Sequence, residues 1–246
     1  MRLIPVVSCI GLLASTGVAQ TSVMLEPLRD TSIFEADLGG ISNGAGQYLF
    51  TGVTAMSIKR RAMISFDLSS IPADAVITDV ILTMHMSRTV STGTPVGLHA
   101  MSRNWGEAGS DAPGEEGGGA PAEDGDATWT HAFHTRTAWT SFGGDFEEPP
   151  SAMSIVAGIG FYQWSSPELI ADVQSWLEDS PSNFGWMILG DESPGVTATA
   201  KRFDSREHPD PALRPSLSVS YIVPTPGTLS IIGVGALVLR RRGRKP

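Results

Sequence analysis

Only one cysteine, Cys9, occurs in this 246-residue chain, and it stands among the first ten residues. If that leading segment is removed, disulfide bonds and thiol catalysis are both excluded from what remains. Charge is also scarce: 17% of residues are Asp, Glu, Lys or Arg, against roughly 25% in an average soluble domain. Positive charge is scarcer still, with 17 Lys and Arg facing 26 Asp and Glu. Such a balance argues against a nucleic-acid binder, which needs a basic face to neutralise phosphates. What the chain has in quantity is Gly (27) and Pro (17), together with six Trp, nine Phe and 41% hydrophobic residues. This is the composition of a loop-rich, all-β protein with ample apolar surface for a packed core.

Both ends read as addresses. Arg2, the apolar stretch Leu3 to Leu13 and the small residues Gly17-Val18-Ala19 predict a signal peptide over residues 1–19, cleaved by signal peptidase before Gln20. At the other end, the run Thr228 to Leu239 is followed by Arg240, Arg241, Arg242, Arg244 and Lys245. Twelve helical residues span about 18 Å, short of the roughly 30 Å hydrocarbon core, so transient membrane insertion is expected rather than a permanent anchor. The basic cluster would stay on the cytoplasmic side. Without the two ends, 11 basic residues face 26 acidic ones, a net charge of −15. A field of that sign repels nucleic acid and anionic lipid and favours divalent cations.

Residues 20–223 read as one β domain. Ile64, Phe66 and Leu68 alternate with Ser65 and Asp67; Val80, Leu82, Met84 and Met86 alternate with Ile81, Thr83 and His85; Leu217, Val219, Tyr221 and Val223 alternate with serines. Each pattern predicts a half-buried strand. Fainter strand patterns cover 22–28, 47–52, 95–103, 127–134, 153–163, 184–189 and 196–204. About ten strands punctuated by turn signals predict a two-sheet β-sandwich of jelly-roll type. One short helix is expected near 167–178, capped by Ser165 or Ser166 with Pro167 in its first turn. Its apolar face would carry Leu169, Ile170, Val173, Trp176 and Leu177, with Trp176 as a packing residue.

The chemistry-bearing residues are few. Nucleophilic catalysis is not expected, since no nucleophile elbow is read in the chain and no thiol survives maturation. Two carboxylates could meet across a cleft by chance alone, so glycoside hydrolase or lyase activity is a minor alternative. Residues 106–126 hold seven Gly and seven acidic residues with no basic one. They form an excursion between strands that cannot fold by itself, and a loop of that length is functional or mobile. Asp111, Glu115, Glu116, Glu123, Asp124 and Asp126 offer the hard oxygens that a structural Ca²⁺ prefers, although the EF-hand spacing is absent. The alternative is a solvated acidic loop. His131 and His134, three apart on a predicted strand, would point to opposite faces, a poor geometry for one Zn²⁺. Trp105, Trp129 and Trp139 flank this loop; exposed, they would stack on sugar rings, and buried, they would anchor the core. Arg202 and Arg206, near Asp204 and Glu207, read as an ion-pair cluster or as a dock for an acidic sugar.

Two resemblances add to this reading. Val223-Pro224-Thr225-Pro226-Gly227, followed by the apolar run and the arginines, resembles the PEP-CTERM sorting tail, with Thr225 where that family carries Glu. The likeness implies recognition by an exosortase in a Gram-negative-type bacterium that makes an exopolysaccharide matrix. Arg60 to Pro72, Asp126-Ala127-Thr128-Trp129, Phe142 to Phe146, Asp172 to Leu177 with Asn183 to Trp186, and Arg202 to Arg206 with Arg214 to Tyr221 together resemble DNRLRE-domain proteins over residues 55–223. That resemblance implies a β-sandwich of the kind found beside carbohydrate-binding modules, some of which bind polysaccharides, and it transfers no catalytic residue. The expectation is an exported, non-catalytic module of the cell surface or matrix whose partner is extracellular polysaccharide. A purely structural role is the nearest alternative.

Overall fold

The computed structural model describes residues 20–36 and 39–224. The predicted signal peptide and the tail residues Thr225, Pro226, Arg240, Arg241 and Arg242 lie outside them, leaving Pro224 as the last described residue of the tail. No helix among the described residues is long and apolar enough to cross a membrane.

Fifteen strands and one α-helix make up the described domain, and every strand pairing within it is antiparallel. The first layer is centred on β6 (Val76–Thr89), flanked by β15 (Ser216–Ile222) with β1 (Gln20–Leu25) beyond it, by β14 (Lys201–Asp204), and by β12 (Gly160–Trp164). In the second layer, β2 (Pro27–Phe34), β5 (Lys59–Phe66), β13 (Trp186–Leu189), β7 (Thr94–Ala100) and β11 (Ala152–Val156) lie side by side. Strand β4 (Tyr48–Val53) joins the layers, pairing with β14 through Tyr48 to Thr51 and with β5 through Gly52 and Val53. The result is an all-β sandwich, as the alternation implied.

The strong alternations point as expected except at Val223, which lies beyond the end of β15 and is exposed, and at Ser65, which is buried because β5 is covered on both faces. Val80, Leu82, Met84 and Met86 of β6 are fully buried, facing Ala62, Ile64 and Phe66 of β5 and Trp186 and Ile188 of β13 across one core. Helix α1 (Pro167–Glu178) closes an end of that core with Leu169, Val173 and Trp176; the Ser166 hydroxyl accepts from the Leu169 N–H at 2.9 Å, as an N-cap should.

Other segments depart from expectation. The 22–28 segment straddles β1 and β2, and 153–163 is two strands, β11 and β12, with a turn between them. Within 127–134 only His131–Phe133 (β9) is strand, paired with Thr137–Ala138 (β10) in a small separate ribbon. Two short strands complete the set, β3 (Ile41–Ser42) and β8 (Ala120–Pro121), and they pair with each other.

The long excursion is the larger surprise. The segments that flank it lie over the outer face of the second layer, where Met63 of β5, Met187 of β13 and Ile33 of β2 meet Met101 and Trp105 on one side of the excursion and Ala127, Trp129, Ala132 and Trp139 on the other. The second layer is therefore covered on both faces. Close approach fixes part of this cover: a Cβ on Gly106 would lie 1.8 Å from the Gly125 carbonyl oxygen, so only glycine fits there.

Candidate functional site

Trp105, Trp129 and Trp139 are 0%, 7% and 5% exposed, so the expectation of an exposed stacking platform among them is overturned. They lie in the segments flanking the excursion and pack on the second layer's outer face. Each buried Trp removes roughly 150–250 Å² from water, about 4–6 kcal/mol gross, which outweighs display on the surface. The Trp105 indole N–H donates to the Phe184 carbonyl and that of Trp139 to the Thr128 carbonyl, both at 2.8 Å. Guanidinium groups close two of the ring faces, Arg29 at 4.3 Å over Trp105 and Arg61 at 4.8 Å over Trp129.

The acidic loop residues do not gather into a cage. Among the described residues the one group of three with ligand atoms mutually within 4.8 Å is Asp30, Glu107 and Glu207, which includes none of Asp111, Glu115, Glu116, Asp124 and Asp126. The reason is that most are engaged separately. Asp126 accepts from the Ala108 and Glu123 N–H groups at 2.7 and 2.8 Å. Glu116 accepts from the Asn43 amide at 2.9 Å and from the Gln47 and Tyr48 N–H groups at 3.1 and 3.0 Å. Asp124 pairs with Arg136, which holds its carboxyl down at about 2. Buried carboxylates thus serve as acceptors for backbone donors that a loop without regular structure leaves unpaired. His131 and His134 stack edge to face at 5.9 Å, and the His131 Nδ1 lies 2.9 Å from the Thr130 hydroxyl.

One serine motif also needs placing. Contrary to the expectation of none, Gly40-Ile41-Ser42-Asn43-Gly44 has the Gly-x-Ser-x-Gly spacing. Ser42 is fully buried on the two-residue strand β3, its hydroxyl 3.4 Å from that of Thr31. The chain runs from it into a turn and then β4 rather than into a helix, so the strand–turn–helix context of a nucleophile elbow is missing.

Two charge clusters remain, one on each side of Asp204. In the first, Arg206 bonds Glu107 at 3.0 Å and Glu207 at 2.8 Å through Nε, while its backbone N–H donates to Asp30 at 2.9 Å. Asp30 is 1% exposed. Burial, reinforced by Glu207, pushes its carboxyl well above the ordinary range. Burial likewise pushes Glu107 up to about 7 and raises Glu207. The Arg206 guanidinium stands where a cation would, and none of the three acids lines the cavities described below. Asp204 itself is buried and pairs with His85 Nδ1 at 2.6 Å; it takes no part in an Arg202 pair.

The second cluster lines a cavity of about 200 Å³ formed by Arg60, Arg88, Lys201, Arg202, Phe50 and Glu115 with their neighbours. Arg88 on β6 and Arg202 on β14 are direct cross-strand partners, an arrangement that is unfavourable for like charges unless an anion lies between them. Glu115 supplies one, accepting from Arg88 at 2.8 Å and Arg202 at 2.5 Å. Arg202 is held independently: its Nε donates to the Ser87 hydroxyl at 3.1 Å, and its guanidinium lies 3.8 Å over the Tyr48 ring. Arg60 stacks near Phe34 and Phe50 at 5.7 and 5.4 Å, and its buried Nε has no hydrogen-bond partner among the described residues. Lys201 is 2% exposed and donates only to neutral oxygens of Thr89, Ser91 and Thr92. Burial lowers the pKa of both Arg60 and Lys201. Four of the body's eleven cations therefore line one cavity, and its single carboxylate pairs with two of them, Arg88 and Arg202.

Of these, sequence reading identified Arg202 and missed Arg60, Arg88 and Lys201. The run Lys59-Arg60-Arg61 in so acidic a body was the available signal. Arg206, grouped with Arg202 as a sugar dock, belongs instead to the acidic cluster.

Two further cavities are larger. One of about 420 Å³ is lined by Arg103, Ser141, Asp145 and Phe146. Another, of about 630 Å³, lies between the end of α1 and the Asp67–Ala73 loop, with Phe66, Ile71, Pro72 and Trp176 in its wall. In comparisons with protein-family models and with curated proteins, the chain matches none.

Proposed function

We propose that the chain is an exported, non-catalytic β-sandwich module that binds acidic polysaccharide at the Arg60–Arg88–Arg202 cavity. Secretion by signal peptidase cleavage, exosortase handling of the tail and residence at the cell surface or in an extracellular matrix belong to this reading. One observation carries it: in a body of net charge −15, four cations line one cavity whose single carboxylate pairs with only two of them. Guanidinium forks match the geometry of carboxylates, so the carboxyl group of a uronic acid is the chemistry this cavity suits. Val90, exposed in the same wall, offers an apolar surface beside the charges.

The test is titration of the protein with polygalacturonate, dextran and chitosan oligomers at low and moderate salt, with and without Ca²⁺. Binding should be confined to polygalacturonate, weaken as salt rises, and drop at least tenfold when Arg88 and Arg202 are both replaced by Ala, as loss of two charged partners implies. Equal binding to polyglutamate would reduce the site to a general polyanion patch and remove the sugar from the proposal. Failure to bind any of the polymers would leave a purely structural module. The burial of all six Trp, none above 7% exposed, favours that second reading.

A further inference from the structure

Glu115 occupies the cavity in the manner of a ligand. Its side chain is 72% exposed, yet its Oε2 receives both guanidiniums of the cross-strand pair. Solvent screening and side-chain entropy leave an exposed ion pair of this kind with little net stability, so a competing carboxylate can replace it at little cost.

The turn that displays Glu115 does not depend on it. The Glu116 N–H donates to the Pro113 carbonyl at 3.3 Å and the Gly119 N–H to the Glu116 carbonyl at 2.9 Å. Glu116, buried, then pins the turn through Asn43, Gln47 and Tyr48. Beside it, Gly114 and Gly118 have no heavy atom within 4 Å of where a Cβ would stand. The Glu115 side chain, 72% exposed, can rotate into solvent while the backbone stays where it is. On the other side, Ser87 and the Tyr48 ring hold Arg202 whether or not Glu115 is present.

We propose that Glu115 is a built-in competitor, standing in the ligand carboxylate's place and leaving by side-chain rotation when an acidic polysaccharide binds. The inference rests on the cavity being the binding site, and it assigns to one loop residue the setting of affinity there. Because the neighbouring Arg202 holds the Glu115 carboxyl below its usual range, the competitor stays charged through the ordinary pH range.

The experiment compares polygalacturonate affinity of four full-length proteins: the parent, Glu115→Gln, Asp111→Asn, and Arg88→Ala/Arg202→Ala. Asp111→Asn removes the same charge from the same loop. We expect Glu115→Gln to bind roughly three- to tenfold tighter, Asp111→Asn to stay within about twofold of the parent, and the double Arg variant to lose binding. Equal gains in Glu115→Gln and Asp111→Asn would mean net charge alone acts, and the competitor role would fall. An unchanged Glu115→Gln beside a weakened double Arg variant would overturn that role while the site stands. No binding by any of the four overturns the site and the competitor together.

Discussion

The two charge clusters lie within a few residues of each other along the chain, yet they handle excess charge in opposite ways. Asp30, Glu107 and Glu207 gather three acids at Arg206; Arg60, Arg88, Lys201 and Arg202 line one cavity whose single carboxylate pairs with Arg88 and Arg202. Carboxylates can relieve such crowding by taking up protons, and burial shifts Asp30, Glu107 and Glu207 in that direction. A guanidinium has no comparable escape, since it stays protonated at any ordinary pH. The acidic cluster can therefore neutralise itself and serve the fold. The basic cluster needs an anion, and Glu115 supplies only one.

The sharpest way to break this contrast is to take the guanidinium out of the acidic cluster. Arg206→Ala leaves Glu107 and Glu207 without the guanidinium they share, while Asp30 keeps the backbone N–H of residue 206. Removing one side of a buried ion pair costs roughly 3–5 kcal/mol; with the Arg206 side chain 37% exposed, we expect about 2–3 kcal/mol in urea unfolding after solvent screening. Polygalacturonate binding by the folded fraction should not change. A loss below about 0.5 kcal/mol would show that the cluster does not help hold the excursion to the sandwich.

A smaller effect separates the clusters by pH. The folded-state pKa of Glu107, about 7, lies above its ordinary value of 4.5. Folding therefore favours the protonated form: its contribution is complete below pH 4.5 and is lost as pH rises through 7. Asp30 and Glu207 shift in the same direction. Stability should fall by roughly 1–2 kcal/mol between about pH 5 and 8, allowing for partial exposure. Glu107→Gln keeps an acceptor for Arg206 and the Asp30 N–H and should flatten that slope. A parent protein equally stable at both pH values would contradict the proton-sharing account.

How far the sequence could reach differs between the same two regions and the core beneath them. Period-2 alternation in β5, β6 and β15 identified the inward residues, Val223 beyond the strand end excepted, because burial there follows the pleat of a single strand. The Ser166–Pro167 start of α1 was legible for the same local reason. Trp105, Trp129 and Trp139 could be recognised as large aromatics, but what covers them is the second layer's outer face, built from strands distant in the chain. The basic cavity joins residues 60, 88, 115, 201 and 202, and only the register that sets Arg202 opposite Arg88 makes it a site. Nothing local in those segments encodes that register.

The finest test of the comparison is optical and expects almost nothing. None of the six Trp lines the basic cavity, and all are buried. Polygalacturonate binding there should leave Trp emission unchanged in wavelength and nearly unchanged in intensity, even at saturation measured by another method. Trp176, by contrast, forms part of the wall of the 630 Å³ cavity beside α1 and is packed at 4.7 Å from Trp186. A ligand seated in that cavity would alter the surroundings of an indole and shift or quench its emission. Silent fluorescence at saturation therefore places the ligand with the arginines, while a clear Trp response abolished by a Trp176→Phe variant moves the site to the apolar cavity and returns the arginines to a structural role.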